Sequence, residues 1–327
     1  MSASTVSTTD DSSRPGRVVT AGETMALIVP SAPGRLRHAT NVTLSIGGAE
    51  SNVAIALSRL GVQASWVSAL GEDEMGDLVL HRVRAEGVDT RAVRRVPDRS
   101  TGLYLREEVA GSLRVYYYRR ESAASTLAPG GFDVSLLRDA AFLHLTGITG
   151  ALSPECAEFL TWAAQTAREA GVRVSYDVNY RSKLWEPPAA RAATEALLPH
   201  VDVLLVGDEE AAALWGWDEQ VCLQRFPDDG PREVVVKLGA RGCVAVVDGE
   251  RLTSPGFAVR QIDPIGAGDA FAAGYLAASM WGTAPDERLR TANAMGAFCV
   301  QNTGDYEGLP NRRELSAFLD QTHDLGR

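Results

Sequence analysis

Two patterns of apolar positions alternate along the 327-residue chain. Predominantly apolar runs at 17–21, 62–70, 141–145, 172–176, 201–206 and 234–237 have the length of strands buried on both faces. Between several of them, apolar residues recur every three to four positions. In 49–60, Val53, Ala56, Leu57 and Leu60 form one stripe ahead of Gly61, and 75–86 and 154–170 read the same way. Strands alternating with helices predict a mostly parallel sheet covered on both faces, an α/β/α sandwich.

Two stretches break the alternation. Residues 36–45, and 91–120 with its segments 102–107 and 112–120, follow a period of two. They predict a small β-sheet standing off the main body as a lid, spanning 34–46 and 91–120. Within it Tyr117 and Arg119 share a face, as do Tyr104 and Arg106 on the neighbouring strand, so each pair can act together. A solvated sheet edge with arginines guarding against aggregation fits the same pattern. Farther on, 242–247 and 252–259 flank Asp248-Gly249 as a hairpin. The chain then reads as helical in 266–280, 286–301 and 312–320.

Composition narrows the function classes. Hydrophobic residues at 45% and charged residues at 23% are ordinary globular values, which sets aside disorder and coiled coil. A formal charge of -10 argues against a general grip on nucleic acid or an anionic membrane, so an anionic substrate needs a local basic pocket. Cys156, Cys222, Cys243 and Cys299 form no CxxC pair, so neither a zinc site nor a disulfide framework is expected, and a reducing cytoplasm fits. Residues 1–16 are rich in Ser, Thr and Asp, lack an apolar core, and read as a flexible tail before one domain at 17–322. No run approaches the ~20 apolar residues of a membrane helix.

The densest motif is Asp263-Pro-Ile-Gly266-Ala267-Gly268-Asp269. A strand is expected to run into the glycines and a helix to start there, so that the amides of Gly266, Ala267 and Gly268 point at an anion. Asp269 adds negative charge where negative charge must dock, which makes sense if it takes a proton from an attacking hydroxyl. An ordinary helix start with Asp269 complementing the dipole is the simpler reading. Gly47-Gly48 ahead of a helix carrying Asn52 allows a polyol close to the backbone, or is a plain turn with Asn52 in solvent. Arg181, after the strand end at Asp177, suits a carboxylate or phosphate, or is a surface arginine. Gly207-Asp-Glu-Glu210 can set a carboxylate near a metal-bound water or simply start a helix. Lys237-Leu-Gly239-Ala-Arg-Gly242 suits a loop passing nucleotide phosphates, or a tight turn. GxxxxGK[ST], GxSxG and HExxH are all absent, which removes P-loop kinase, serine hydrolase and zinc protease readings.

On these residues the chain resembles the ribokinase-like (PfkB) carbohydrate kinases over about 18–319, with Gly47-Gly48 and Asn52 first and Asp263 to Asp269 second. The strings at Gly102 to Glu107, Val115 to Arg119, Phe142 to Ile148 and Asp177 to Arg181 are similar to those of the branch acting on 2-keto-3-deoxygluconate. The resemblance implies a ribokinase-like sandwich with a β lid, and transfer of the γ-phosphoryl group of ATP to the C6 hydroxyl of that sugar acid. It implies Asp269 as base and the Gly266, Ala267 and Gly268 amides as anion hole. Gly48, Asn52, Tyr104, Tyr117, Arg119, Ile148 and Arg181 would line the sugar site. Lys237, Gly239, Gly242, Gly266, Gly268 and Asn293 would line the ATP site, with Mg²⁺ served by Glu210 through water. Two departures stand out: Gly207 replaces the family's Asn, and Pro264 replaces a Thr, which bears on a monovalent-cation site such as K⁺ near Asp263. A homo-oligomer is expected. Kinases for fructose, ribose or keto-deoxygalactonate, and a silent sugar-binding protein, are the alternatives.

Overall fold

The computed structural model describes residues 16–324, so the tail expected for 1–16 falls almost wholly outside the described residues. The strands are β1 Arg17–Ala21, β2 Met25–Pro30, β3 Val42–Gly47, β4 Ala64–Gly71, β5 Val93–Val96, β6 Leu103–Val109 and β7 Ser112–Tyr118. They continue with β8 Ala140–Thr146, β9 Arg173–Asp177, β10 Val203–Gly207, β11 Glu233–Lys237, β12 Gly242–Val247 and β13 Glu250–Pro255. The helices are α1 Ala49–Arg59, α2 Glu74–Ala85, α3 Gly147–Gly150, α4 Pro154–Glu169 and α5 Pro187–Leu197. After them come α6 Asp208–Trp215, α7 Glu219–Arg225, α8 Ala267–Met280, α9 Pro285–Cys299 and α10 Arg312–Asp324.

Nine strands form the main sheet in the order β13-β12-β11-β10-β9-β8-β1-β4-β5, parallel except for the antiparallel edge made by β12 and β13. Each buried strand feeds two cores, one per face. Leu205 and Val235 pack toward α1, α8 and α9, while Leu204, Val206 and Val234 pack toward α4 to α7. Burial on both faces explains why these strands are mostly apolar rather than alternating. Helix α8 is buried from Asp269 through Ala278. Its small residues let neighbours close in: a Cβ on Gly274 would lie 3.0 Å from Ala292 Cα. That packing holds the start of α8 rigidly at the carboxyl ends of the parallel strands.

The second sheet has the order β3-β2-β6-β7. It differs from the expected lid in three places. Strand β5 pairs in parallel with β4 and belongs to the main sheet, because an edge strand alternates exposure just as a lid strand does. Residues Leu36–His38 form a 3₁₀ turn held by the Leu36 amide on Glu107, and the strand starts only at Val42. Strand β2 supplies the lid with Met25 and Leu27, which the period-two reading passed over. A further difference lies before Gly266: 256–265 is coil, since Pro255 and Pro264 withhold ladder donors. A Cβ on Gly256 would also lie 2.3 Å from the Ala240 carbonyl.

Candidate active site

The parallel strands deliver Glu23, Thr146, Asp177, Gly207 and Lys237 to one end of the sheet, facing the start of α8. Gly266 caps that helix with φ 78°, and a Cβ there would sit 2.2 Å from the Asp305 carbonyl oxygen, so only glycine fits. The amides of Gly266 and Gly268 make no hydrogen bond among the described residues, whereas the Ala267 amide turns back to the Pro264 carbonyl at 3.4 Å. Two of the three expected amides are thus free to meet an anion.

Asp269, in the first turn, is buried beside them. Its Oδ2 accepts a hydrogen bond of 2.8 Å from Asn52 Nδ2 on α1, and Asn179 reaches its Oδ1 at 3.5 Å. Burial pushes the Asp269 carboxyl up to about 6, and the Asn52 bond pulls against it. Such a carboxylate is ionised at neutral pH yet basic enough to take a proton.

A cavity of about 660 Å³ opens in front of Asp269. Gly48, Asn52, Tyr104, Tyr117, Arg119, Ile148 and Arg181 all line it, together with Gly266 and Gly268. Tyr104 and Tyr117 stack with ring centroids 5.9 Å apart, and Arg119 lies over Tyr117. The two arginines differ. Arg119 is paired with the buried Glu23, its Nε at 2.7 Å, and Ser122 also donates to Glu23. Arg181 is exposed and has no ion-pair partner among the described residues. Glu23 therefore orients one guanidinium in advance while the other stays open to a ligand.

A second cavity of about 720 Å³ lies on the other side of the α8 start. Lys237, Gly239, Gly242, Ala267, Gly268 and Asn293 line it, whereas Gly266 lines only the first. The Asn293 amide nitrogen donates to Ser254 Oγ at 3.0 Å and to the Ser254 and Pro255 carbonyls, so it ties α9 to β13 and leaves only its oxygen for a ligand. Glu210, Lys237, Pro264 and Gly268 border both cavities. Lys237 Nζ grips Asp177 at 2.7 and 2.8 Å, a buried pair at that junction.

Glu210 compensates for the missing side chain at Gly207. Its Oε2 accepts from the Gly207 amide at 2.7 Å and its Oε1 from the Tyr180 amide at 3.0 Å, so the carboxylate caps its own helix. Burial raises its pKa, and Lys237 opposes the rise. Among the described residues no group of three acidic, His or Cys side chains converges on a metal.

Four buried acids here escaped the motif reading: Glu23, Glu50, Asp177 and Asp305. Glu50 is fully buried, with its Oε1 accepting from Thr146 and Thr149 at 2.7 Å, and burial raises its pKa to about 7. Placement just after an apolar strand was the available signal for Glu23 and Asp177. Glu50 sits among the helix residues of α1 and carries no such mark.

A basic carboxylate and free amides in one cavity, with Gly268 shared with a second, suit transfer of a phosphoryl group from one small ligand to another. The description "pfkB family carbohydrate kinase" matches residues 16–312, and the chain belongs to this family of ATP-dependent sugar kinases. It is 36% identical to 2-dehydro-3-deoxygluconokinase of Bacillus subtilis over 92% of this chain and 94% of that protein. It is 37% identical to 2-dehydro-3-deoxygalactonokinase of Haloferax volcanii, over 86% of this chain and 88% of the relative. The crystal structure of 2-dehydro-3-deoxygluconokinase from Thermotoga maritima superposes with a TM-score of 0.85 at 27% identity, covering 93% of this chain and 98% of that one.

Proposed function

We propose that this kinase transfers the γ-phosphoryl group of ATP to the C6 hydroxyl of 2-keto-3-deoxygluconate, the 2-dehydro-3-deoxygluconate of its relatives' names. The observation that carries the reading is Asp269, hydrogen-bonded by Asn52 and lining the first cavity one residue from Gly268, whose free amide borders both cavities. The sugar acid lies in the first cavity, with its hydroxyls toward Gly48 and Asn52 and its carboxylate toward Arg181 and the Arg119 edge that Glu23 leaves open. Two guanidinium groups in a chain of net charge -10 suit an anionic substrate better than a neutral ketose.

Asp269 accepts the C6 hydroxyl proton as the new O–P bond forms and the bond between the β and γ phosphates breaks, leaving ADP. The Gly266 and Gly268 amides hold the charge on the transferring group, and Lys237 stands beside them at the junction. ATP occupies the second cavity along Gly239 and Gly242. Glu210 would serve Mg²⁺ through a bound water, since each of its oxygens already accepts a backbone amide, and when bound the ion would neutralise phosphate charge. The lid over the sugar limits access of water. The exposed Leu44 and Tyr116, on the lid face opposite the cavity-lining Leu113 and Tyr117, suit self-association into a homo-oligomer, which sedimentation velocity tests. The four cysteines are buried free thiols, consistent with residence in a reducing cytoplasm.

The deciding experiment is ADP release with 2-keto-3-deoxygluconate, its galacto epimer, fructose and ribose at equal concentration. Preference for the two keto-deoxy acids is expected. Preference for fructose or ribose would overturn the carboxylate site and leave the kinase chemistry standing. Asp269→Asn should keep sugar binding and lose ~10²- to 10⁴-fold in kcat.

A further inference from the structure

The turn before α8 is surrounded by carboxyl groups. Asp263 and Asp305 are both buried against the turn that presents the Gly266 amide, and burial pushes the Asp305 carboxyl up to about 7. With Asp269, three carboxyl groups surround a place that must receive phosphate. Lys237 stands near Asp269, and a second, buried cation stands between the other two. Arg106 reaches in from lid strand β6 with 5% of its side chain exposed, its Nη2 2.8 Å from Asp263 Oδ2 and its Nη1 3.8 Å from Asp305 Oδ1. Tyr104, two residues earlier on the same face, donates to Asp305 Oδ2 at 2.8 Å.

Both Asp263 carboxylate oxygens are already engaged, whereas Asp305 Oδ1 accepts no hydrogen bond and has Arg106 as its charge partner at 3.8 Å. Asp263 Oδ1 accepts from the Ile265 amide at 3.1 Å, and its Oδ2 accepts from Gly304 at 3.3 Å as well as facing Arg106. The Val300 carbonyl accepts from both Ile262 and Asp263 amides, and Pro264 offers no side-chain oxygen. A second positive charge brought to the same carboxylate would also meet the guanidinium at close range. A site for K⁺ near Asp263 does not fit these residues.

We infer that Arg106 is a built-in cation and positioning residue for the anion-binding turn, taking at Asp263 and Asp305 the place of a monovalent ion. Because it enters from the lid, the electrostatics of the turn are complete only with β6 docked. The inference rests on the reading of Gly266 to Asp269 as the phosphoryl site, but not on which sugar is phosphorylated.

The test compares the wild-type kinase in potassium, sodium and tetramethylammonium chloride at equal ionic strength, with whichever sugar it turns over. Rates agreeing within about twofold are expected, whereas activation by K⁺ of more than about tenfold would overturn the inference. Melting temperature, read without substrate, should likewise be the same in all three salts; a rise specific to K⁺ would show an ion site that the inference denies. In parallel, Arg106→Ala should lose about tenfold or more in kcat with little change in KM, with partial recovery from added K⁺ or guanidinium ion, and Arg106→Lys should retain most of the rate. A folded Arg106→Ala variant with wild-type kcat refutes the positioning role. If that variant does not fold, the salt comparison on the wild type decides alone.

Discussion

Removing the Asn52 amide from Asp269 should move the acid limb of the pH–rate profile, and the structure sets how far. The Asp269 carboxyl, pushed up to about 6 by burial, must lose its proton before it can accept one, so kcat/KM rises with pH through that value and levels off above it. The 2.8 Å bond from Asn52 favours the ionised form. Hydrogen bonds to charged groups contribute about 1.5–3 kcal/mol, and one pH unit corresponds to 1.36 kcal/mol. Water entering the open cavity replaces part of the lost bond, so a shift of about one unit, to a midpoint near 7, is expected in Asn52→Ala. At pH 6 the wild type is half ionised and the variant about one part in eleven, an extra loss of about fivefold beyond any loss common to all pH values. Profiles of kcat/KM for both proteins at fixed ionic strength give the answer. Titration of the ATP phosphates is common to both and cancels in the difference. Equal midpoints, or a wild-type limb in the ordinary carboxylate range near 4, would refute the argument that Asp269 is the titrating base.

Three further outcomes follow from particular contacts. Lys237→Met leaves Asp177 buried without its partner and should cost ~3–5 kcal/mol of stability by denaturant titration, with Lys237→Met/Asp177→Leu recovering much of it. Glu50 has a folded pKa of about 7, above the ordinary carboxylate value, so folding takes up a proton and native stability falls as pH rises between the two. Glu50→Gln should accordingly raise Tm by a few degrees at about pH 8 and leave it little changed near pH 4; an equal shift at both would assign the effect to packing. Gly266→Ala must hold φ 78° with its Cβ against the Asp305 carbonyl, and should lower kcat by about tenfold or more in a steady-state assay.

The parallel sheet was readable because buried strands impose predominantly apolar runs and their crossover helices impose a 3.6-residue stripe. All six runs appear as β1, β4, β8, β9, β10 and β11, within two or three residues at either end. The helix-start motif was readable for a local reason: Gly266 must adopt a left-handed conformation and Asp269 sits three residues on, both within one turn. Strand β5 was misassigned because alternating exposure does not say which sheet an edge strand joins, and β2 was passed over in favour of more strongly alternating neighbours.

Side-chain partners beyond one turn were set by the tertiary structure alone. Arg119 and Arg181 look alike as residues in a string, yet Glu23, 96 positions before Arg119, engages one and leaves the other open. Asn293 is turned away from a ligand by β13, and Arg106 is drawn to Asp263 across the lid by charges that no period in the chain encodes. Local spacing fixes which faces an element offers, because backbone geometry repeats over a few residues. Which buried charge meets which is settled only when desolvation forces distant acids and bases to neutralise one another inside the packed fold.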